Sequence, residues 1–139
     1  CGGLDCNPVP IEITYGLERI AMFLQNKENI WDLYWDKNTT YKDIWLDFEK
    51  DQCRFNFKES NPENLRNLFN SYQEEAKNLI TKDLTYCALD FVLKCSHCFN
   101  LLDARGVISV TDRAQYIEKI RDLAKDVANT WVNKDKRKK

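Results

Sequence analysis

The chain has almost no net charge and contains no apolar run long enough to span a bilayer. Its 139 residues include 21 basic and 22 acidic side chains, which leaves a formal charge of −1. Because so small a charge does not attract a polyanion over a distance, composition alone does not predict a nucleic-acid partner, and any such contact has to be local. The first residues also lack the pattern of a signal peptide. We therefore expect a soluble protein with one modest core or two small units.

Histidine is scarce, with His97 alone, whereas six cysteines occur at positions 1, 6, 53, 87, 95 and 98. Cys95-Ser-His97-Cys98 has the two-residue gap of a zinc half-site, but it lies in an apolar periodic segment and lacks a second pair. On a helix, Cys95 and Cys98 would share a face and His97 would point away. We predict buried, reduced thiols in a cytosol-like compartment and no structural zinc, with a zinc half-site as the less favoured alternative.

The run Glu12-Ile-Thr-Tyr-Gly-Leu-Glu-Arg19 leads directly into the apolar residues 20–24. This pattern predicts a β-strand that meets a helix at Gly16. Glu12 and Thr14 are two residues apart, so both side chains should lie on one face of the strand. The opposite face should carry Ile11, Ile13 and Tyr15. Glycine allows the backbone to turn and a flat ligand to approach it closely, which predicts the floor of a nucleotide pocket.

Aromatic side chains are concentrated between residues 27 and 60, where Asp and Lys alternate with them. We interpret this stretch as short strands and loops that pack over a core. Stacking on nucleic-acid bases is the alternative, although acidic residues equal or outnumber basic ones here.

Helical periodicity begins at residue 61, because Asn61-Pro62 is a typical helix start. The apolar stripe of this helix contains Leu65, Leu68, Phe69, Tyr72, Ala76, Leu79 and Ile80. Residues 86–102 are apolar nearly all round, which predicts the buried centre of a bundle. A third helix should be capped by Thr111. Its inward stripe contains Ile117, Ile120, Ala124, Val127, Ala128 and Trp131.

These patterns predict three regions along the chain. Residues 1–60 carry the strand and helix around Gly16, residues 61–133 form an antiparallel three-helix bundle, and residues 134–139 form a basic flexible tail. We expect an α+β fold.

The run 12–24 resembles motif 3 of the class II aminoacyl-tRNA synthetases. Together with residues 1–25 and Phe55-Asn-Phe57, the long run 96–113, which contains Phe-Asn-Leu-Leu-Asp-Ala-Arg-Gly, resembles the α subunit of the bacterial two-subunit glycyl-tRNA synthetase. The family usually has Thr where this chain has Cys98. The resemblance covers nearly the whole chain and implies the C-terminal part of an antiparallel-sheet catalytic domain, followed by the helical bundle.

The resemblance also implies roles for four residues. Arg19 would be the catalytic arginine that binds ATP, with Gly16 beside the nucleotide; the alternative is a surface arginine in the first turn of a helix. Glu12 would bind the ammonium group of glycine, and Thr14 would exclude larger amino acids; the alternative for Glu12 is a strand carboxylate exposed to water. Glu18 would brace Arg19 or a neighbouring loop.

For activity and partners, the resemblance implies a glycine-tRNA ligase that uses glycine, ATP with Mg²⁺, and tRNA(Gly). It implies a β subunit and an α–α dimer within an α2β2 tetramer, in a bacterial-type cytosol or a plastid stroma. Motifs 1 and 2 are absent, so we expect this chain to be the C-terminal half of the subunit and to be inactive by itself. The alternative is a non-catalytic interaction or assembly module.

We predict that His97 is a satisfied helical histidine, and that Asp103 and Arg105 lock the turn before Gly106 by a hydrogen bond.

Overall fold

A computed structural model of the chain describes residues 2–136, with side chains up to Lys134. These residues form two compact units, which we call the bundle unit (residues 2–9 and 59–136) and the motif unit (residues 10–58). The described residues contain five α-helices, a 3₁₀ turn at Ile30–Asp32 and a π-helical turn at Phe55–Glu59. The α-helices are α1 Leu17–Leu24, α2 Tyr41–Arg54, α3 Pro62–Thr81, α4 Thr85–Ala104 and α5 Val110–Lys136.

The first helix of the bundle unit starts where the sequence predicts it. The Asn61 side chain accepts hydrogen bonds from the N–H groups of Glu63 and Asn64, and Pro62 is the first helical residue. The prediction that Thr111 caps the third helix is wrong. Ser109 takes that place: its hydroxyl accepts from the N–H of Asp112 at 3.0 Å, and the Asp112 carboxylate accepts from the N–H of Ser109 at 3.3 Å. This reciprocal pair satisfies N–H groups that the helix cannot satisfy itself, so α5 begins earlier than predicted.

The core of the bundle unit lies among α3, α4 and α5. Phe69 is fully buried, and its ring meets Tyr116 edge to face at 4.6 Å. The Cys95 thiol is also fully buried and lies 3.7 Å from the Phe69 carbonyl oxygen. The buried cluster contains Leu65, Phe69, Ala76, Leu79, Ala88, Val92, Cys95, Cys98, Phe99, Leu101, Leu102, Leu123 and Val127. Side chains of this size each contribute about 1.5–3 kcal/mol when they leave water.

Burial on α4 and α5 differs from the sequence prediction at particular positions. Residues 86–102 are not buried on every side, because Tyr86 and Leu93 are exposed. Trp131, predicted to face inward, is about half exposed, whereas Leu123 is buried and was absent from the predicted stripe. Two neighbouring helices cover only part of a third, so an apolar residue on its remaining face stays in contact with solvent.

The N-terminal residues of the bundle unit pack closely against α5. Gly2 has a φ of +59°, and a Cβ placed on it would lie 2.6 Å from the backbone nitrogen of Lys125. Only glycine combines this conformation with so close an approach. Near the C-terminal end of α5, the Lys134 ammonium donates to the Asp83 carbonyl oxygen at 2.7 Å. Residues 137–139 of the predicted basic tail lie outside the described residues.

The expected α+β fold is wrong for the described part of the chain, which contains helices and no β-sheet. Residues 10–16 have no regular secondary structure, so the strand predicted there is not observed, and the bridge between Tyr34 and Thr40 is isolated. A strand is stabilised by hydrogen bonds to a neighbour, so an extended segment without one forms no sheet.

The short strands expected between residues 27 and 60 are also wrong, because α2 occupies much of this stretch. The Thr40 side chain accepts from the N–H of Asp43, and the Asp43 carboxylate accepts from the N–H of Thr40. This capping box stabilises the helix start. The aromatic residues are not packed over a core either: in residues 10–58, Leu33, 3% exposed, is the one buried hydrophobic side chain.

Candidate functional site

Glu12 and Thr14 lie side by side in the segment that precedes α1. The Thr14 hydroxyl donates a hydrogen bond to the Glu12 carboxylate. Both residues are exposed. The structure thus places these two side chains on the same side of the segment, as their spacing predicts.

Gly16 caps α1 with an ordinary extended backbone, φ −78° and ψ 114°. Other residues adopt this conformation readily, so the backbone at this position does not itself require glycine. A Cβ on Gly16 would lie 3.8 Å from Cγ of Arg19 and 3.9 Å from its Cδ. The missing side chain leaves space beside the aliphatic part of the arginine.

Arg19 lies in the first turn of α1 and is exposed. Within residues 10–58, no hydrogen bond or ion pair is found for its guanidinium group, and none joins it to Glu12. The motif unit thus presents an arginine and a carboxylate that are both accessible to a charged ligand. The guanidinium fork can bind a phosphate or carboxylate with two parallel hydrogen bonds.

Glu18 contacts α2 and not Arg19. Its Oε1 accepts a hydrogen bond from the Tyr41 hydroxyl at 3.3 Å. Burial, and then the nearby Glu18 carboxylate, raise the pKa of the Tyr41 hydroxyl above its ordinary value, so Tyr41 is a stable donor at neutral pH. The observed partner is the first residue of α2, rather than Arg19 or the neighbouring loop that was predicted.

Glu18 and Tyr41 also line a cavity of about 340 Å³ in the motif unit. Its other described lining residues are mainly apolar or aromatic: Leu17, Ala21, Gln25, Leu33, Tyr34, Trp35 and Trp45. Sequence reasoning missed this cavity. A signal was present in Thr40-x-x-Asp43, a capping box that predicts a helix with Tyr41 and Trp45 on one face.

The cysteine pair of α4 lies apart from these residues in the bundle unit. Cys95 and Cys98 are buried while His97 is exposed, as the helical spacing predicts. Burial raises the pKa of the Cys95 thiol to about 11, with a smaller effect from Cys98. The protonated thiols are consistent with small hydrophobic side chains in the core.

An ion pair between Asp103 and Arg113 lies at the turn after α4. The Asp103 carboxylate accepts from Nε of Arg113 at 3.3 Å, and the N–H of Gly106 donates to the Asp103 carbonyl oxygen. Gly106 has a φ of +63°, in the left-handed region that ends many helices. The ion pair between Asp103 and Arg113 joins α4 to α5.

A family model described as glycyl-tRNA synthetase alpha subunit matches residues 1–136, nearly the whole chain. The chain belongs to this family. The family indicates part of a glycine-tRNA ligase, an aminoacyl-tRNA synthetase of translation, with tRNA and a β subunit as partners. No helix among the described residues of this family member is long and apolar enough to cross a membrane.

Proposed function

We propose that residues 10–24 form part of the glycine and ATP site of a class II glycine-tRNA ligase. We further propose that motifs 1 and 2, on polypeptide beyond these 139 residues, complete the site. The observation that carries the proposal is the segment of residues 10–16 itself. It presents Glu12 and Thr14 together, and its apolar side chains are exposed, with Ile11 at 90%. A segment with several exposed apolar side chains is suited to contact other polypeptide.

Glu12 would bind the ammonium group of glycine. Two opposite charges about 4 Å apart attract each other by roughly 4 kcal/mol at an effective dielectric constant near 20, before desolvation is counted. Such an attraction is sufficient to orient a substrate that has no side chain. The Thr14 hydroxyl, which already donates to the Glu12 carboxylate, would hold it in position, while the Thr14 methyl group would occupy the space of a substrate side chain.

Arg19 would bind ATP, with Gly16 leaving room beside it. In the proposed reaction the glycine carboxylate attacks the α-phosphate and pyrophosphate leaves, after which the glycyl group passes to the 3′ end of tRNA(Gly). Chemistry of this kind depends on positioning and on charge stabilisation by a guanidinium group. The described residues contain no group of three metal-binding side chains, so Mg²⁺ would arrive with the nucleotide and we assign it no residues here.

The first test is glycine-dependent ATP–pyrophosphate exchange. The 139-residue chain alone should be inactive, and activity should appear when it is combined with the polypeptide that carries motifs 1 and 2 and with the β subunit. Exchange by the chain alone would contradict the shared-site proposal. No exchange by the complete assembly would favour a non-catalytic assembly module.

In the complete assembly, Arg19→Ala should cost about 2–4 kcal/mol of transition-state stabilisation, because a bidentate charged contact to ATP is lost. Exchange rates at varied ATP concentration measure this effect. Lys37→Ala, which also removes an exposed cation of the motif unit, is the matched control and should leave the rate unchanged. Equal rates for the two variants would exclude the nucleotide role of Arg19.

Thr14→Gly should allow alanine into the same site while Glu12 still binds the ammonium group. We expect the preference for glycine over alanine, measured as the ratio of the two kcat/KM values for adenylate formation, to fall by at least about tenfold. Thr14→Ser retains the hydroxyl and should give a smaller loss. A preference unaffected by either change would show that another residue enforces glycine.

A further inference from the structure

The aromatic cavity of the motif unit has a chemical character that the proposed glycine and ATP site does not use. Four of its lining residues are aromatic, namely Tyr34, Trp35, Tyr41 and Trp45, and among its nine described lining residues Glu18 alone is charged. The faces of aromatic rings carry partial negative charge, so rings and carboxylate both attract a cation. A volume of about 340 Å³ is at the lower end of the range for small-molecule sites.

The loop that carries two of these rings is held rigidly. The Gln25 side chain forms two hydrogen bonds with the Tyr34 backbone: Oε1 accepts from its N–H at 2.8 Å, and Nε2 donates to its carbonyl oxygen at 3.0 Å. Asp36 Oδ1 accepts from the N–H groups of Asn38 and Thr39, both at 2.8 Å. The loop therefore presents its aromatic side chains without a large loss of conformational entropy on binding.

Exposure and an existing contact support a cationic ligand. Trp35 is 64% exposed on this rigid loop, which leaves the cavity open to the surface. The Lys27 ammonium already lies 4.8 Å from the centroid of the Tyr34 ring, so one ring of this group binds a cation within the chain itself. Glu18 accepts one hydrogen bond, from Tyr41, and a carboxylate can accept several more.

We propose that this cavity binds the guanidinium group of an arginine side chain on a polypeptide partner. A planar guanidinium group stacks on aromatic rings, is more weakly hydrated than an ammonium group and can bind a carboxylate with two hydrogen bonds. Exposed Trp and Tyr on a rigid support are the residues that dominate protein interfaces, and arginine is the third such residue. The proposal is independent of the ATP-binding role proposed for Arg19, because Arg19 is not among the residues that line this cavity.

The test is a titration of the 139-residue chain with the peptide acetyl-Gly-Arg-Gly-amide, followed by NMR of the indole N–H groups of its four tryptophans. The resonances of Trp35 and Trp45 should shift and that of Trp131, in the bundle unit, should not. The same peptide with citrulline, which has the shape of arginine without its charge, should bind at least about tenfold more weakly. Free arginine, in a parallel titration, should bind more weakly than the peptide if the partner is a polypeptide.

Glu18→Gln should abolish the difference between the arginine and citrulline peptides, because it removes the charge and keeps an acceptor for Tyr41. Glu28→Gln, a matched change at an exposed carboxylate outside the cavity, should preserve that difference. Trp35→Leu should weaken binding of the arginine peptide at least about threefold, with an unchanged circular dichroism spectrum as evidence of folding.

Several results would overturn the proposal. Equal binding of the arginine and citrulline peptides would mean a simple apolar contact, and stronger binding of adenosine at the same tryptophans would mean a base-stacking site. Free arginine that binds as tightly as the peptide would mean a small-molecule site. The proposal also fails if the wild-type chain shows no shift at millimolar peptide. Because none of these measurements involves aminoacylation, failure here leaves the proposed ligase function unaffected.

Discussion

The bundle unit buries a continuous apolar core, whereas the motif unit exposes most of its apolar side chains. Phe69 in the bundle unit is fully buried, and Phe23 in the motif unit is 85% exposed, although both lie on helices with an apolar stripe. A helical stripe is stabilising only when another element covers it. The comparison shows that the bundle unit provides its own packing, while the motif unit holds its candidate substrate-binding residues on a surface suited to contact other polypeptide.

The largest difference between the two units is expected from a matched pair of Phe→Ala substitutions. Phe69→Ala should lower the free energy of unfolding by about 3–5 kcal/mol, because it removes buried contacts and leaves a cavity. Phe23→Ala should change it by less than about 0.5 kcal/mol. Urea unfolding of the 139-residue chain, followed by circular dichroism, gives both values. Similar losses for the two variants would show that the two units do not differ in this way.

A smaller effect is expected from the helix caps, one in each unit. Asn61→Ala and Thr40→Ala each remove a side chain that accepts from the N–H groups at a helix start, at a cost of about 1 kcal/mol. In the bundle unit this loss should appear in global unfolding. In the motif unit it should appear as faster hydrogen exchange in α2 with little change in global stability. If Thr40→Ala lowered global stability by the same amount, α2 would unfold cooperatively with the core.

The last effect concerns pH, is confined to the bundle unit and is absent at neutral pH. The Cys95 thiol has a pKa near 11 in the folded chain, above its ordinary value of 9.0, so the unfolded chain loses this proton first. Its contribution to stability is complete below pH 9 and is lost as pH rises toward 11. Cys95→Ala should therefore show a shallower loss of stability over this range than the wild type. Cys87→Ala, at an exposed thiol, is the control and should keep the wild-type slope.

Sequence reasoning worked best where the signal was local and repeated. Asn61-Pro62 predicted the start of α3, and the spacing of Cys95, His97 and Cys98 predicted which of them face the core. The two-residue spacing of Glu12 and Thr14 correctly placed their side chains together. Their roles toward glycine, and those of Arg19 and Gly16 toward ATP, remain predictions.

Predictions failed where they required a neighbouring element. Alternating residues around Thr14 indicated a strand, yet a sheet needs a partner, and none is present among the described residues. Between residues 27 and 60, aromatic content suggested packed strands, while the local Thr40–Asp43 capping box determined a helix. Trp131 has the spacing of a core residue, but it lies at the edge of the packing: its indole N–H donates to the Tyr86 hydroxyl on α4, and about half of the side chain stays exposed.

The sequence by itself determined the family, the candidate substrate residues and most helix starts, since motifs, caps and helical periods depend on residues close together in the chain. Only the tertiary structure decided which apolar faces are covered, that Asp103 pairs with Arg113, and that Glu18 and Tyr41 meet at an aromatic cavity. Asp103 and Arg113 are 10 positions apart in the chain, and Glu18 and Tyr41 are 23 positions apart. Such pairings depend on how helices pack, and neither local propensity nor side-chain spacing specifies that packing.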